Sequence, residues 1–393
     1  MFDTISARGS SRGRIARRGL LALAGLALLA GCSVIPGGSP QTGADRAPPL
    51  PTDDGRHRVA LLVPLSGPNA GVGQSLANAT TMALLDTNAQ NLRITTYDTG
   101  FSAPSAAAHA IADGNKLILG PLLGDEAVAV AQTAKAAHVP VISFSNDTTV
   151  AGDNVFVMGN IPGQSVDRAV RFARAGGAIR FAALIPVGAY GQRASGAMLE
   201  AVRASGGVLV GMEGYERSDA AMTAAVRRLK THGAFDAVLI ADTTHFAALA
   251  AAQLRPGGSA PGIMGPRILG TELWARDPQL ARSPALQGAL FAALSDVHYP
   301  RFAESYKARF ASPPDRIATL GYDGVLLALR VARDWRPGTP FPTARLFDRG
   351  GFLGLDGAFR FGSGEVIERA LEVREVRAGG ITVVSPAPDR FAE

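Results

Sequence analysis

The sequence predicts an α/β protein of two lobes, each a parallel sheet with helices on both faces. Three observations carry that expectation. Short apolar runs alternate with longer Ala-rich stretches of helical length. Most of the runs are apolar at every position, as strands covered on both faces are, rather than at alternate positions. And 393 residues are too many for one small core and suit two.

The elements run in this order. Strand-like runs occupy 59–65, 92–98, 116–122 and 139–145, then 181–187, 206–212, 236–242 and 288–294. Between them, 74–85, 126–137, 164–175 and 220–229 read as amphipathic helices, so the pattern is βαβα repeated. The end is different. Residues 369–386 alternate loosely around Gly379-Gly380 and predict an antiparallel hairpin.

Residues 1–31 read as a leader. Five arginines face one acid, Asp3, and an apolar stretch comes next that is too short to span a membrane. It ends Leu29-Ala30-Gly31-Cys32, and Cys32 is the one cysteine of the chain. A lone cysteine has no partner for an internal disulfide. The stretch 29–32 resembles the bacterial lipobox, in which the cysteine is acylated. The resemblance implies a lipid anchor at Cys32 and, with Ser33 after it, an outer-membrane site facing the periplasm. Residues 32–56 are rich in Pro and Gly and read as a flexible tether. The net charge of +6 falls to about +2 without the leader, and no basic run with interleaved aromatics remains. Nucleic-acid binding is not expected, and contact with the membrane is expected through the anchor only.

In α/β sheets, functional groups gather beyond the carboxyl ends of the strands. Those positions nominate Ser66, Asn69 and Gly71 after the first run and Leu122 after the third. They nominate Ser143, Ser145, Asn146 and Asp147 after the fourth, and Tyr190, Asp242 and Glu272 in the second half. The two serines suit gripping a carboxylate or capping the next helix. Asp242 and Glu272 suit recognition of a ligand ammonium or hydroxyl, or stabilisation of a turn. Tyr190 suits covering a ligand or a lobe edge, and Asp98 suits a turn. Enzyme signatures fail. Gly71-Val72-Gly73 is followed by Leu76 where a dinucleotide fingerprint needs a third glycine. No phosphate-binding loop or nucleophile elbow is present, and the six histidines are scattered without metal-ligand spacing. The expectation is a binding protein, not an enzyme, with no cofactor and no metal.

At this point the residues resemble a family. "VALLVPLSGPNAGVGQSLANATTMALLD", "LILGPLLGDEAVAVAQTAKAAHVPVISFSND" and "AYGQRASGAMLEAVRASGG" resemble segments of the type I periplasmic binding proteins of the branched-chain amino acid class. So does "RFAESYKARFASPPDRIATLGYDGVLLAL". The resemblance implies two lobes joined by three hinge crossings, with lobe one at 57–159 plus 297–336 and lobe two at 160–296 plus 337–393. Two subgroups of the family are in view. "GPLLGDEAV", the ending "GLDGAFRFGSGEVIERALEVREVRAGG" and the lipobox resemble the penicillin-binding protein activators most closely, which implies a peptidoglycan synthase as partner. The alternative is a receptor that hands amino acids, or related small polar solutes, to an ABC permease. There the resemblance puts Tyr190 and Glu272 at ligand positions. The loop 121–126, however, lacks the Ser or Thr that grips a carboxylate, and Asp147 stands where a hydroxyl residue is usual.

Overall fold

The computed structural model describes residues 55–255 and 265–391. The leader, Cys32 and all but the last two residues of the tether lie outside the described residues. Lobe one is built on five parallel strands, β1 (His57–Val63), β2 (Leu92–Asp98), β3 (Leu117–Leu119), β4 (Val141–Ser143) and β5 (Val155–Val157), in the order β2-β1-β3-β4-β5. Helices α1 (Ala70–Asp86), α2 (Ala103–Ala112) and α3 (Gly124–Ala136) connect them. Lobe two has parallel strands β6 (Arg180–Pro186), β7 (Val208–Tyr215), β8 (Ala237–Ile240), β9 (Arg267–Gly270) and β10 (Leu290–Ala293). Its helices are α4 (Pro162–Ala175), α5 (Ala189–Ala204), α6 (Asp219–Thr231) and α7 (Thr244–Leu254). Helices α8 (Tyr299–Phe310) and α9 (Ala318–Ala332) return to lobe one, where residues from both pack on α1.

The chain then forms a three-stranded antiparallel meander, β11 (Phe352–Gly354), β12 (Gly357–Phe361) and β13 (Ile367–Arg369). It ends in the predicted hairpin, β14 (Glu372–Arg377) with β15 (Gly380–Ser385), which extends the second sheet to β15-β14-β10-β9-β8-β6-β7.

The local chemistry explains these elements. Strand β1 is buried at six of its seven positions, as an all-apolar run requires. Helix α2 starts at Ser102, whose side chain accepts from the Ser105 amide, and α6 at Ser218, which accepts from Ala221. Helix α3 carries Asp125 and Glu126 in its first turn and Lys135 in its last, the arrangement that suits the helix dipole. The Gly-x-Gly after β1 has a packing role: a Cβ on Gly73 would lie 1.7 Å from the Pro64 carbonyl oxygen. Only glycine lets α1 approach the strand end that closely.

Two expectations are corrected. Strands β5, β9 and β11–β13 are absent from the apolar runs read in the sequence; at three to five residues each, they are too short to show a period. And the division at 337 does not match the packing. Phe341, Leu346, Phe352, Phe359, Phe361 and Ile367 join one buried cluster with Val59, Leu61 and Val63. The meander therefore belongs to lobe one, and only β14 and β15 return to lobe two. The chain passes between the two sheets at 159–161, 294–298 and 370–371.

A buried ionic cluster holds the meander against α9 at this hinge. Asp323 and Asp356 are wholly buried and Arg369 nearly so. Arg316 Nη1 lies 2.6 Å from Asp356 Oδ1, and the Thr319 hydroxyl donates to Asp356 Oδ2 at 2.7 Å. Arg369 lies 3.8 Å from Asp323 and donates to the Met158 carbonyl at 3.1 Å. Burial, with Asp356 nearby, pushes the Asp323 carboxyl up from the ordinary carboxylate range. Removing one member of a buried pair strands its partner's charge. Asp356→Ala is therefore expected to lower the unfolding free energy by about 3 kcal/mol. Urea unfolding measures this, and a loss under about 1 kcal/mol would mean that Arg316 finds water instead.

Candidate ligand site at the lobe hinge

The three crossings enclose a cavity of about 220 Å3. Asn160 and Ile161 come from the first crossing, Leu294 and Asp296 from the second, and Leu371 from the third. Lobe two adds Glu272 and Arg276, and lobe one adds Arg316. The wall is mainly apolar, with a few polar groups converging on it, which is the usual make-up of a small-molecule site.

Glu272 is placed by the packing of the turn it opens. Residues Glu272–Trp274 form a single 3-10 turn after β9. The Trp274 ring is fully buried and lies over Gly270, where a Cβ would meet the ring at 2.3 Å. Its indole N–H donates to the Asp242 carbonyl at 2.8 Å. With Trp274 fixed, Glu272 faces the hinge. The Tyr190 hydroxyl, from α5, lies 2.8 Å from Thr271 Oγ1 and donates to Glu272 Oε1 at 3.1 Å. Glu272 Oε2 is buried without a hydrogen-bond partner, and so is Asn160 Oδ1. Unpaired buried oxygens of this kind are costly. Burial pushes the Glu272 carboxyl up to about 7, against hydrogen bonds from its own amide and from Tyr190 that favour the charged form. Burial, and then the nearby Glu272 charge, push the Tyr190 phenol up as well.

The other nominated residues lie elsewhere. Among the described residues, Glu272 is the one of that set lining the cavity, with Tyr190 behind it. Ser143 is buried, donates to the Pro121 carbonyl and accepts from the Ser145 amide. Ser145 accepts from the Asp147 amide. Both hydroxyls help to shape the loop after β4, Ser143 as donor and acceptor and Ser145 as acceptor. Asp242 is wholly buried, accepts from the Tyr215 hydroxyl at 2.6 Å and pairs with Arg217 at 3.0 Å. Leu122 packs on the lobe-one core. Gly71 borders a different depression, beside Tyr306 and Asp315. Ser66 is half-buried in the loop after β1, and Asn69 precedes α1 without a side-chain cap. Asp98 accepts from the amides of Leu65 and Gly100 and so ties two loops together, a turn role as the sequence suggested.

Asn146 and Asp147 meet lobe two directly. Arg193, on α5, lies 3.1 Å from Asp147 Oδ2 and 3.4 Å from Asn146 Oδ1. Hydrogen bonds from Thr149, and then Arg193, hold the Asp147 carboxyl below the ordinary range. Sequence reasoning missed Asn160, Arg193, Arg276, Asp296 and Arg316. Arg193 and Arg316 carried a signal, since they fall within the quoted segments "AYGQRASGAMLEAVRASGG" and "RFAESYKARFASPPDRIATLGYDGVLLAL".

Two outcomes are expected. Arg193→Ala should leave stability within about 1 kcal/mol, as for other half-exposed pairs, yet enlarge the radius of gyration in solution scattering by releasing one contact between the lobes. An unchanged radius would mean that the pair does not hold them. Glu272 should make stability fall with pH. Its folded-state pKa lies above the unfolded one, so its contribution is fully present below about pH 4 and lost as pH rises through about 7. Glu272→Gln removes the titration. Between pH 5 and pH 8 it should gain on the wild type by up to about 3 kcal/mol, and parallel pH profiles would rule this out.

Comparison with known proteins agrees with the architecture. Among solved structures, a Rhodospirillum rubrum protein described as a branched-chain amino acid ABC transporter superposes with a TM-score of 0.71 at 20% identity, covering 84% of this chain and 100% of that one. The Streptococcus pneumoniae branched-chain amino acid transporter substrate-binding protein LivJ, bound to isoleucine, gives 0.55 at 17% identity, over 84% and 100%. A Rhodopseudomonas palustris BisB5 ABC transporter solute-binding protein, bound to 3,4-dihydroxybenzoic acid, gives 0.56 at 19%, over 86% and 99%. At these identities the likeness is one of fold. A curated Rickettsia prowazekii (strain Madrid E) protein, RP748, is 30% identical over 177 residues, 44% of this chain and 47% of that protein. The chain thus spans about half the length of that relative. The family model described as periplasmic binding protein matches residues 57–380, and with that extent the chain belongs to the periplasmic binding protein family.

Proposed function

We propose that the protein is a periplasmic receptor for a small organic solute, which it passes to an ABC permease. The observation that carries this reading is the hinge cavity, where buried polar atoms of Glu272 and Asn160 have no protein partner. Both lobes contribute walls, so a ligand there favours the closed arrangement by its contacts with each. The comparisons support the receptor over the activator resembled by its loops and ending, since the similar solved structures are described as ABC transporter proteins. The sequence reading of Cys32 adds a lipid anchor, and an outer-membrane attachment facing the periplasm is part of the same proposal.

A thermal-shift screen of the purified protein tests this, with amino acids, aromatic and aliphatic acids, sugars and muropeptides as probes. A ligand at 100 times its Kd adds about 2.7 kcal/mol of stability, a clear rise in melting temperature. A hit is expected among the small solutes. A flat screen on folded protein, together with retention of a peptidoglycan synthase in pull-downs, would replace the receptor with the activator.

A further inference from the structure

The end of lobe one where the chain enters it is basic. Residues 330–349 carry five arginines, Arg330, Arg333, Arg336, Arg345 and Arg349, against two acids, Asp334 and Asp348. All five arginines are exposed. Arg330 falls in the last turn of α9, where a cation suits the helix dipole. The other four lie beyond that helix and have no such role. The ion pairs are loose. Arg345 lies 3.4 Å from Asp334, and Arg330 lies 3.9 Å from Asp348, longer than a strong charge-assisted hydrogen bond. Arg333, Arg336 and Arg349 have no acidic partner within reach among the described residues. Arg330, Arg333 and Arg345 line, together with both acids, a depression of about 180 Å3.

Packing fixes this segment beside the start of β1. The Trp335 ring stacks on His57 with 4.1 Å between centroids, and it meets Phe341 edge-on at 5.2 Å. Its indole N–H donates to the Thr339 carbonyl at 3.0 Å. His57 opens β1, and the description of the chain begins two residues before it. The stretch that the sequence reads as a tether from Cys32 therefore joins lobe one next to the arginines. A flexible chain of that length spans roughly 25 Å, so an anchor at Cys32 keeps this end of the lobe near the bilayer. The cleft loops lie at the other end of the sheet. Strand β1 runs from His57 to Val63, about 20 Å of extended chain, before it reaches the loop of Ser66. A surface held against the arginines leaves the cleft uncovered.

We propose that this basic face docks on the anionic phospholipid surface of the membrane that holds the anchor, with lipid phosphates seated among Arg330, Arg333 and Arg345. The planar fork of a guanidinium matches two phosphate oxygens. An arginine close to an anionic bilayer raises affinity about fivefold, and a basic patch beside a lipid chain is a stable pair of membrane signals. The anchor holds the protein at the membrane, and the face sets its orientation, with the cleft turned away from the lipid. Contact with the membrane thus extends beyond the anchor. The inference rests on the anchor in the proposed function and on neither the ligand nor the protein partner.

Energy transfer between the purified full chain and vesicles tests this. The vesicles are phosphatidylcholine alone, or phosphatidylcholine with about a third phosphatidylglycerol, and both carry an acceptor dye on their headgroups. A donor dye is attached at Ala344→Cys, exposed beside Arg345, or at Phe101→Cys, exposed in the loop after β2 at the opposite end of the sheet. The wild type, labelled in the same way, gives the contribution of Cys32. Transfer from position 344 is expected to rise when phosphatidylglycerol is present, and transfer from position 101 is not. The rise should vanish in about 0.5 M sodium chloride, where charges more than about 4 Å apart are screened. Arg333→Gln/Arg336→Gln/Arg345→Gln should lower the ratio of docked to undocked protein by roughly tenfold to a hundredfold, and an unchanged melting temperature shows that this variant is folded. Equal transfer from position 344 on the two kinds of vesicle overturns the docking. An equal rise at position 101, or a rise that the triple variant keeps, places the attraction elsewhere on the chain and overturns it too. Flotation with the neutral vesicles reads the anchor separately. A protein that fails to float there lacks the anchor, while a rise at position 344 on the anionic vesicles still upholds the basic face.

Discussion

Beside the hinge, a buried set of charges pins the meander to α9 within lobe one, and the crossings run next to it. Arg316 and Asp356, with Arg369 and Asp323, bring two guanidinium groups and two carboxylates out of water at one point. Charges are tolerated there when paired, and Thr319, the Leu355 amide and the Met158 carbonyl add hydrogen bonds, although Asp323 Oδ2 and Arg369 Nε and Nη1 are left without one. The partners come from α9 and the segment before it and from the meander, Arg369 being the last residue of β13. Arg374, just past the third crossing, donates to the Leu294 carbonyl and pairs with Asp296 in the second. Gln164, in the first turn of α4 in lobe two, ties that lobe to β13 by donating to the Ile367 carbonyl and accepting from the Arg369 amide. A hinge built this way keeps its register while the lobes on either side remain separate cores.

This arrangement also shapes the cavity. The same crossings that carry the charges enclose it, so the pocket inherits polar groups at its rim and apolar side chains from the strand ends. Burial pushes the Glu272 carboxyl there up to about 7. It is placed by a chain of packing contacts, from Gly270 to Trp274 to the turn itself. Across the cleft, the Arg193–Asp147 pair joins the lobes with partly exposed groups. Such a pair is weak enough to be broken and remade as lobes open and close. The strong ionic contacts are at the pivot and the weak one is at the opening.

Much of the fold was legible because burial on both faces leaves a plain mark on sequence. The runs at β1, β2, β6 and β8, and the closing hairpin, were readable as strands from apolarity and turn residues alone. Asp98 was readable as a turn residue for the same reason: a carboxylate at a strand end beside Gly has local amides to accept from. The candidate site was only half legible. Tyr190 and Glu272 were found, and they do meet. Ser143, Ser145 and Asp242 stood at equally suitable strand ends, but their hydrogen bonds are made inward. A strand-end position says where a side chain starts, not which neighbour it will satisfy.

The sequence by itself determined the class, the alternation of strand and helix, and the local caps and turns, because each depends on residues a few positions apart. Only the tertiary structure decided that the meander of 352–369 packs on lobe one. Its phenylalanines bury in one cluster with the β1 face, and the ionic cluster ties it to α9. Only the tertiary structure brought Arg276, Asp296 and Arg316 to one cavity from three separate segments. Charge pairing across long sequence separations is set by where the crossings converge, and no local pattern records it.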